Sequence, residues 1–259
     1  KVLTVDGAGN IYLVNQIYGA ENDRRVVRES IVKFDSSGEF LNTLVQYDYS
    51  GLDTQPELYG WINSLRVIDG KLYYTYKQEN SIGLYEITAD GPELKKQFPL
   101  AQARTAILGS RVSYDGQSLY YVTKKGQILR EDGKGPVLCY QGWGSNDKQD
   151  SASLIGDFSL DAENRLVFVD NEDCSIKEIR PEALTTSIRL PSVGNLRSDF
   201  EKDALYGTVR LTKDGKILTV ISGSNIVFVK DGEEPQIFAD FYNAPLQQIR
   251  CLLVGLSIL

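Results

Sequence analysis

Apolar and polar residues alternate along most of this chain in short runs, the period-two pattern of half-buried β-strands. One phrase recurs five times: a β-run, a tight turn, and a second β-run rich in Tyr, Leu and Val. Its turns stand at Asp6-Gly7, Asp69-Gly70, Asp115-Gly116, Asp161-Ala162 and Asp214-Gly215. Four runs surround each phrase, and in the second unit they cover 62–68, 71–77, 82–88 and 94–100. A second turn recurs between the third and fourth runs, at Asp35-Ser36-Ser37-Gly38, Asp90-Gly91, Asp132-Gly133 and Asp231-Gly232, with Pro181 marking it in the fourth unit. Asp-Gly between alternating runs is a hairpin signal, because both residues tolerate the positive φ that a two-residue turn requires. Each unit therefore predicts a four-stranded antiparallel meander.

A unit of this size cannot bury its apolar face alone, so its repetition implies an array of stacked sheets. The first turns recur at intervals of roughly 45 to 65 residues, near the ~40–50 of a propeller blade. In its Asp-Gly-x-Leu-Tyr phrase, followed by a β-run and a second Asp-Gly turn, the chain resembles the β-propeller repeats of the NHL and YVTN kind across residues 1–242. The resemblance implies an all-β propeller of four-stranded antiparallel blades. Five complete units imply five blades, with a sixth left open. A β-sandwich would not place the same two turns at the same point of every unit. Propellers host lyases, lactonases, glycosidases and binding modules alike, so the resemblance leaves function open.

In a meander the short Asp-Gly turns all fall at one end of a blade. The opposite end receives the connections between second and third strands and those between blades. Long stretches fall there, at 16–29, 46–61, 142–151 and 192–206, well beyond the ~4–6 residues of ordinary connections. This rim is the expected binding face. It offers Tyr18, Tyr47, Tyr49, Tyr59, Trp61, Trp143, Asn146, Asp147, Arg197, Asp199 and Tyr206. Aromatic faces beside hydrogen-bonding groups suit a small-molecule, saccharide or peptide ligand. The same aromatics could instead plug the seams between blades. Gly60, Gly109, Gly156 and Gly207 open the innermost strand of four units and read as steric relief where strands crowd.

The 259 residues include no His, which removes a Ser-His-Asp triad, a His-ligated metal and an imidazole base. A formal charge of −7 argues against nucleic acid as a partner. The basic cluster Arg24, Arg25 and Arg28, flanked by Glu21, Asp23 and Glu29, reads as a solvated loop. Asp170-Asn171-Glu172-Asp173 gathers oxygen ligands but lacks the EF-hand alternation and also reads as solvated. No cofactor or metal is expected. Paired carboxylates among Asp53, Asp147, Asp157 and Asp199 would support an alternative, an enzyme acting on saccharides or lactones. A protein-interaction scaffold is the third reading.

Cys139, Cys174 and Cys251 show no metal-ligand spacing. Free buried thiols are expected, with a Cys139–Cys174 disulfide left open. Residues 243–259 change texture: Asn243-Ala244-Pro245 marks a helix start, and the run after Arg250 is almost wholly apolar. That segment reads either as the beginning of a membrane span or as an element closing the propeller. The opening at Lys1 and the absence of Met suggest a piece of a longer product. Together these features lead to one expectation: a non-catalytic, extracytoplasmic ligand-binding domain of a bacterial membrane signalling protein.

Overall fold

Residues 3–19, 25–51, 61–78, 81–99, 107–114, 116–123, 126–142, 155–160, 165–180, 185–192, 195, 206–211, 216–221, 225–229 and 236–240 are described by the computed structural model. Among them the β-runs form five four-stranded sheets, each pairing its strands in chain order. The first holds β1 (Leu3–Val5), β2 (Ile11–Tyr18), β3 (Val26–Phe34) and β4 (Phe40–Asp48). The second holds β5 (Trp61–Ile68), β6 (Lys71–Gln78), β7 (Ser81–Thr88) and β8 (Gly91–Pro99). The third is β9 (Ile107–Tyr114), β10 (Leu119–Thr123), β11 (Gln127–Glu131) and β12 (Pro136–Gln141). The fourth is β13 (Ile155–Leu160), β14 (Leu166–Asp170), β15 (Ser175–Arg180) and β16 (Thr185–Leu190). The fifth is β17 (Tyr206–Leu211), β18 (Ile217–Ile221), β19 (Asn225–Val229) and β20 (Gln236–Asp240). The fold is a β-propeller of four-stranded antiparallel blades.

The recurrent turns are built as their residues require. Asp69 and Gly70 both take positive φ, 51° and 75°, the geometry of a two-residue hairpin turn. In the first blade the turn is longer, and the Asp6 carboxylate organises it. Asp6 Oδ1 accepts from the amides of Ala8 and Asn10, while Oδ2 accepts from Asn10 Nδ2 and the Tyr12 hydroxyl at 2.7 and 2.8 Å. Asp35 repeats the device with the amides of Ser37 and Glu39.

The chain divides into two compact units, one built on Lys1–Leu119 with Glu131–Pro136, the other on Tyr120–Arg130 with Val137–Leu253. In the first, β1 lies beside β5 and β5 beside β9. Ile31 and Val45 of the first blade pack there against Ile62, Leu65, Leu72, Tyr74 and Tyr76 of the second. In the second unit β13 lies beside β17, and Val167, Val169, Ile176 and Leu190 pack against Tyr206, Val209, Ile217 and Ile221. Each fully buried aliphatic in these seams contributes about 1.5–3 kcal/mol.

Three first strands carry a register irregularity near their start, at Ile62/Ser64, Ile155/Phe158 and Tyr206/Thr208. Gly156 and Gly207 lie within the second and third of these. A Cβ on Gly156 would stand 3.0 Å from both Cβ and Cγ1 of Val169, which is fully buried. The steric reading holds at Gly156; Gly60 lies outside the described residues.

One difference from the sequence reading bears on the site. The stretches 16–29 and 46–61 are not wholly loop: β2 continues to Tyr18, β3 begins at Val26, β4 runs through Tyr47, and Trp61 opens β5. Cys139 and Cys174 are free thiols, the first buried and the second half-buried. Residues 243–259 lie outside the described residues, among which no helix is long and apolar enough to cross a membrane.

The Gly156 contact yields a direct test. Gly156→Ala should lower the urea-unfolding free energy by about 1–3 kcal/mol, the usual cost of forcing extra volume against a packed, β-branched neighbour.

Candidate functional site

Strand alternation builds the site in the first unit. Gln16 of β2, Glu29 of β3 and Tyr47 of β4 are direct cross-strand partners, forming one row across the first blade. The next row on that face is Val14, Ile31 and Val45. Ile31 and Val45 face the second blade in the apolar seam. One row nearer the strand ends, the same face therefore turns polar, at the end of the blade where the β2–β3 and β4–β5 connections emerge.

Glu29 is wholly buried there, with 0% of its surface exposed. Its Oε1 accepts from Gln16 Nε2 at 2.8 Å. Its Oε2 accepts from the Ile62 amide at 2.8 Å and from the Tyr49 hydroxyl at 3.4 Å. The Ile62 bond ties the first blade to the opening of the second. Since Tyr49 has one hydroxyl proton and gives it to Glu29, the Tyr76 hydroxyl donates to Tyr49, at 3.3 Å. Outward, the Tyr18 hydroxyl reaches Gln16 Oε1 over a long 3.5 Å. A polar chain thus runs from exposed Tyr18 through half-buried Gln16 to the buried carboxylate.

Tyrosine rings wall this chain. Tyr47 stacks on Tyr76 with centroids 4.3 Å apart, and Tyr74 stacks on Tyr85 at 5.0 Å. The Tyr47 and Tyr74 hydroxyls meet at 2.8 Å. Gly83, the cross-strand partner of Tyr76, leaves the space that the Tyr85 ring takes: a Cβ there would lie 2.6 Å from Tyr85 Cε2.

Among the described residues no cation is paired with Glu29. Burial pushes its carboxyl above the ordinary 4.5, and the hydrogen bonds from Gln16, Ile62 and Tyr49 only partly oppose this. Burial raises the Tyr47 hydroxyl to about 12 and moves Tyr49, Tyr74 and Tyr76 upward as well. All four phenols are therefore neutral hydrogen-bonding groups at pH 7.

A second polar seam lies in the other unit. The Tyr140 hydroxyl of β12 donates to Asp170 at the end of β14, and Lys177 of β15 binds Asp170 Oδ2 at 2.6 Å and Asp173 Oδ2 at 2.8 Å. Burial alone would lower the Lys177 ammonium, but the two carboxylates outweigh it and hold it above its ordinary value. Burial, then the neighbouring Asp170, raises Tyr140 to about 12. Asp170 is 1% exposed, so the solvated reading of the 170–173 cluster is corrected at that residue, while Glu172 and Asp173 are exposed as expected.

The expected site residues separate accordingly. Tyr47 and Tyr49 join the Glu29 cluster; Tyr18 stands exposed at its mouth, and Trp61 is half-buried one residue before Ile62. Tyr206 belongs elsewhere: it is buried in the second unit and donates to the Pro191 carbonyl at 2.7 Å. Tyr59, Trp143, Asn146, Asp147, Arg197 and Asp199 lie outside the described residues, as do Asp53 and Asp161. Asp157 is engaged, its Oδ2 accepting the Val209 amide at 3.2 Å. Glu29, Gln16 and Tyr76 were missed. The signal for Glu29 was its position two residues before Ile31, in phase with the buried face of β3.

Two outcomes follow from these charges. Because the native state holds the Glu29 proton more tightly than the unfolded chain, the associated stability is complete below about pH 4 and is lost as pH rises through the native titration. Glu29→Gln, whose amide can serve the same partners once Gln16 flips, should be more stable than wild type by about 1 kcal/mol at pH 7 and equal to it near pH 4. Urea unfolding at the two pH values checks this. Asp170→Asn should cost about 3 kcal/mol by the same measurement, the scale of removing one member of a buried pair.

No family model matches the chain, and no curated protein matches it in sequence. Similarity is found among solved structures. A structure of the nidogen/laminin complex aligns with TM-score 0.55 and 12% identity, covering 95% of this chain and 80% of that one. A streptogramin B lyase aligns with TM-score 0.54 and 17% identity, covering 94% and 69%. A virginiamycin B lyase from Staphylococcus aureus, crystallised with quinupristin as a catalytically inactive histidine-to-alanine variant, aligns with TM-score 0.50 and 15% identity, covering 90% and 75%. At these identities the likeness is one of fold.

Proposed function

We propose that this chain is a non-catalytic ligand-binding propeller domain of an extracytoplasmic signalling protein, with its binding face where the β2–β3 and β4–β5 connections leave the first two blades. The observation that carries the reading is the polar chain from exposed Tyr18 through Gln16 to Glu29, a buried carboxylate set among tyrosines at that end of the blades. Such a group costs stability where it stands, and groups of that kind concentrate at functional sites.

Catalysis is disfavoured by chemistry. One virginiamycin B lyase of similar fold is inactive when a single histidine becomes alanine, and this chain contains no histidine. Of the four carboxylates that would support catalysis, Asp157 is committed to the Val209 amide, and Asp53, Asp147 and Asp199 lie outside the described residues. In the proposed setting, residues 243–259 are the segment that would meet a membrane, and signalling requires that ligand favour one of two arrangements of the chain.

A thermal-shift panel of amino acids, amines, peptides and saccharides tests the reading. At least one class should raise the melting temperature, since ligand at a hundredfold its Kd adds about 2.7 kcal/mol. Tyr18→Ala and Trp61→Ala should abolish that shift, and Tyr18→Ala should leave the unliganded stability within about 0.5 kcal/mol. Wild-type binding by both variants would remove the site from this face.

A further inference from the structure

We propose that the inner edge of β2, beyond its pairing with β1, takes up an extended peptide as an added strand. The inference rests on the reading above and names the ligand class for that face, because Tyr18 stands both at the mouth of the Glu29 cluster and at the end of this edge. Its warrant is a strand that outruns its inner neighbour. In the second, fourth and fifth sheets the inner strand follows the second strand to within one residue of its far end, reaching Lys77, Asp170 and Ile221. In the first sheet β1 pairs only with Ile11, Tyr12 and Leu13, whereas β3 accompanies β2 as far as Tyr18. At the same register Val2 and Lys1, which lie outside the described residues, would stand opposite Val14 and Asn15, and Gln16, Ile17 and Tyr18 extend past them.

Alternate residues of an antiparallel strand direct both N–H and C=O to the same side, so this stretch offers backbone donors and acceptors to which no described strand is paired. A second extended chain meets both at sheet spacing. The exposed side chains mark the same place: Ile17 is 43% and Tyr18 56% exposed, and Leu3, at the end of β1, is 41% exposed. Leu3, its partner Leu13 and Ile17 share one face of the sheet; Gln16 and Tyr18 share the other. An added strand in line with β1 therefore places its apolar side chains beside Leu3 and Ile17 and its hydrogen-bonding ones beside Gln16 and Tyr18.

The remaining edges are blunted. Among the outer strands β4, β8, β16 and β20 each carry a register shift against their neighbour, β8 adds Lys95 and Lys96, and β12 opens on Pro136. Such features discourage strand addition. The inner strands of the first unit are flanked instead, β1 by β5 and β5 by β9. From Val14 to Tyr18, β2 holds no proline and no charged residue, and the shift beside Ile17 falls on β3, where Val27 is the extra residue. That edge alone keeps an unbroken, uncharged backbone.

The test uses a fluorescein-labelled hexapeptide in which valine and threonine alternate between terminal lysines, read by fluorescence anisotropy with the whole chain at pH 7. It should bind with a Kd below about 1 mM. Two analogues carry N-methyl groups, one on both valines and the other on both threonines. Since the Leu3 and Ile17 face sets the register of the valines and only alternate amides point at β2, one analogue should bind at least about tenfold more weakly and the other within about threefold of the parent. Saturating peptide should also slow hydrogen exchange of alternate amides between Val14 and Tyr18. No binding of the parent, equal weakening by both analogues or by neither, or protection confined to other strands overturns the inference. Dimerisation of the peptide-free chain with the same amides protected assigns the edge to a second copy and overturns it too. Binding of saccharides or single amino acids without peptide overturns it while leaving the ligand-binding reading intact. No response to any probe in the wider panel overturns both.

Discussion

Everything in this fold depends on closing the seam between one sheet and the next. Each blade offers its neighbour an apolar middle and, at the strand ends, rows that must both fill space and satisfy polar groups. Tyrosine meets both demands with a ring that packs and a hydroxyl that finds a partner. Within the first unit Tyr47 meets Tyr74 and Tyr49 meets Tyr76 across the seam. Within the second, Tyr140 of an outer strand reaches Asp170 of the following blade, and Tyr206 reaches back to the Pro191 carbonyl. An outer-strand tyrosine bonded to the second strand of the next blade recurs in both units.

Charge is handled at the same seams by two different rules. Asp170 and Glu178 are brought inside together with Lys177 and Arg189, so desolvation is offset by short charge-assisted hydrogen bonds. Glu29 is brought inside with neutral donors alone. Hydrogen bonds from an amide, a phenol and a carboxamide stabilise a carboxylate, but here they fall short of burial, and the net displacement of its titration is upward. The two seams thus resemble each other in geometry and differ in electrostatics.

The strands and turns were legible because both signals are local. Period-two alternation and Asp-Gly pairs placed the second blade at 62–68, 71–77, 82–88 and 94–100, each end within three residues of the corresponding end of β5 to β8. The site was legible only in part, because its residues acquire their roles from distant partners. Tyr49 reads as a rim aromatic until Tyr76, 27 positions on, caps its hydroxyl. Asp170 reads as solvated until Tyr140, 30 positions earlier, covers it. Glu29 sits among Arg24, Arg25 and Arg28 in the sequence, and that charge density suggested a solvated loop. Alternation instead sends Arg28 outward to Asp48 and Glu29 inward beside Gln16 and Tyr47.

That inward turn cannot be explained by the needs of the seam. A glutamine at position 29 could accept from the Ile62 amide and the Tyr49 hydroxyl through its carbonyl, and could donate to a flipped Gln16. It would have the same length and nearly the same shape. The single property that glutamate adds is charge, and in a neutral, buried, tyrosine-lined setting charge opposes folding. A residue that lowers stability without improving packing or hydrogen bonding is of the kind that functional sites retain, which is the ground on which this end of the blades is proposed as the binding face.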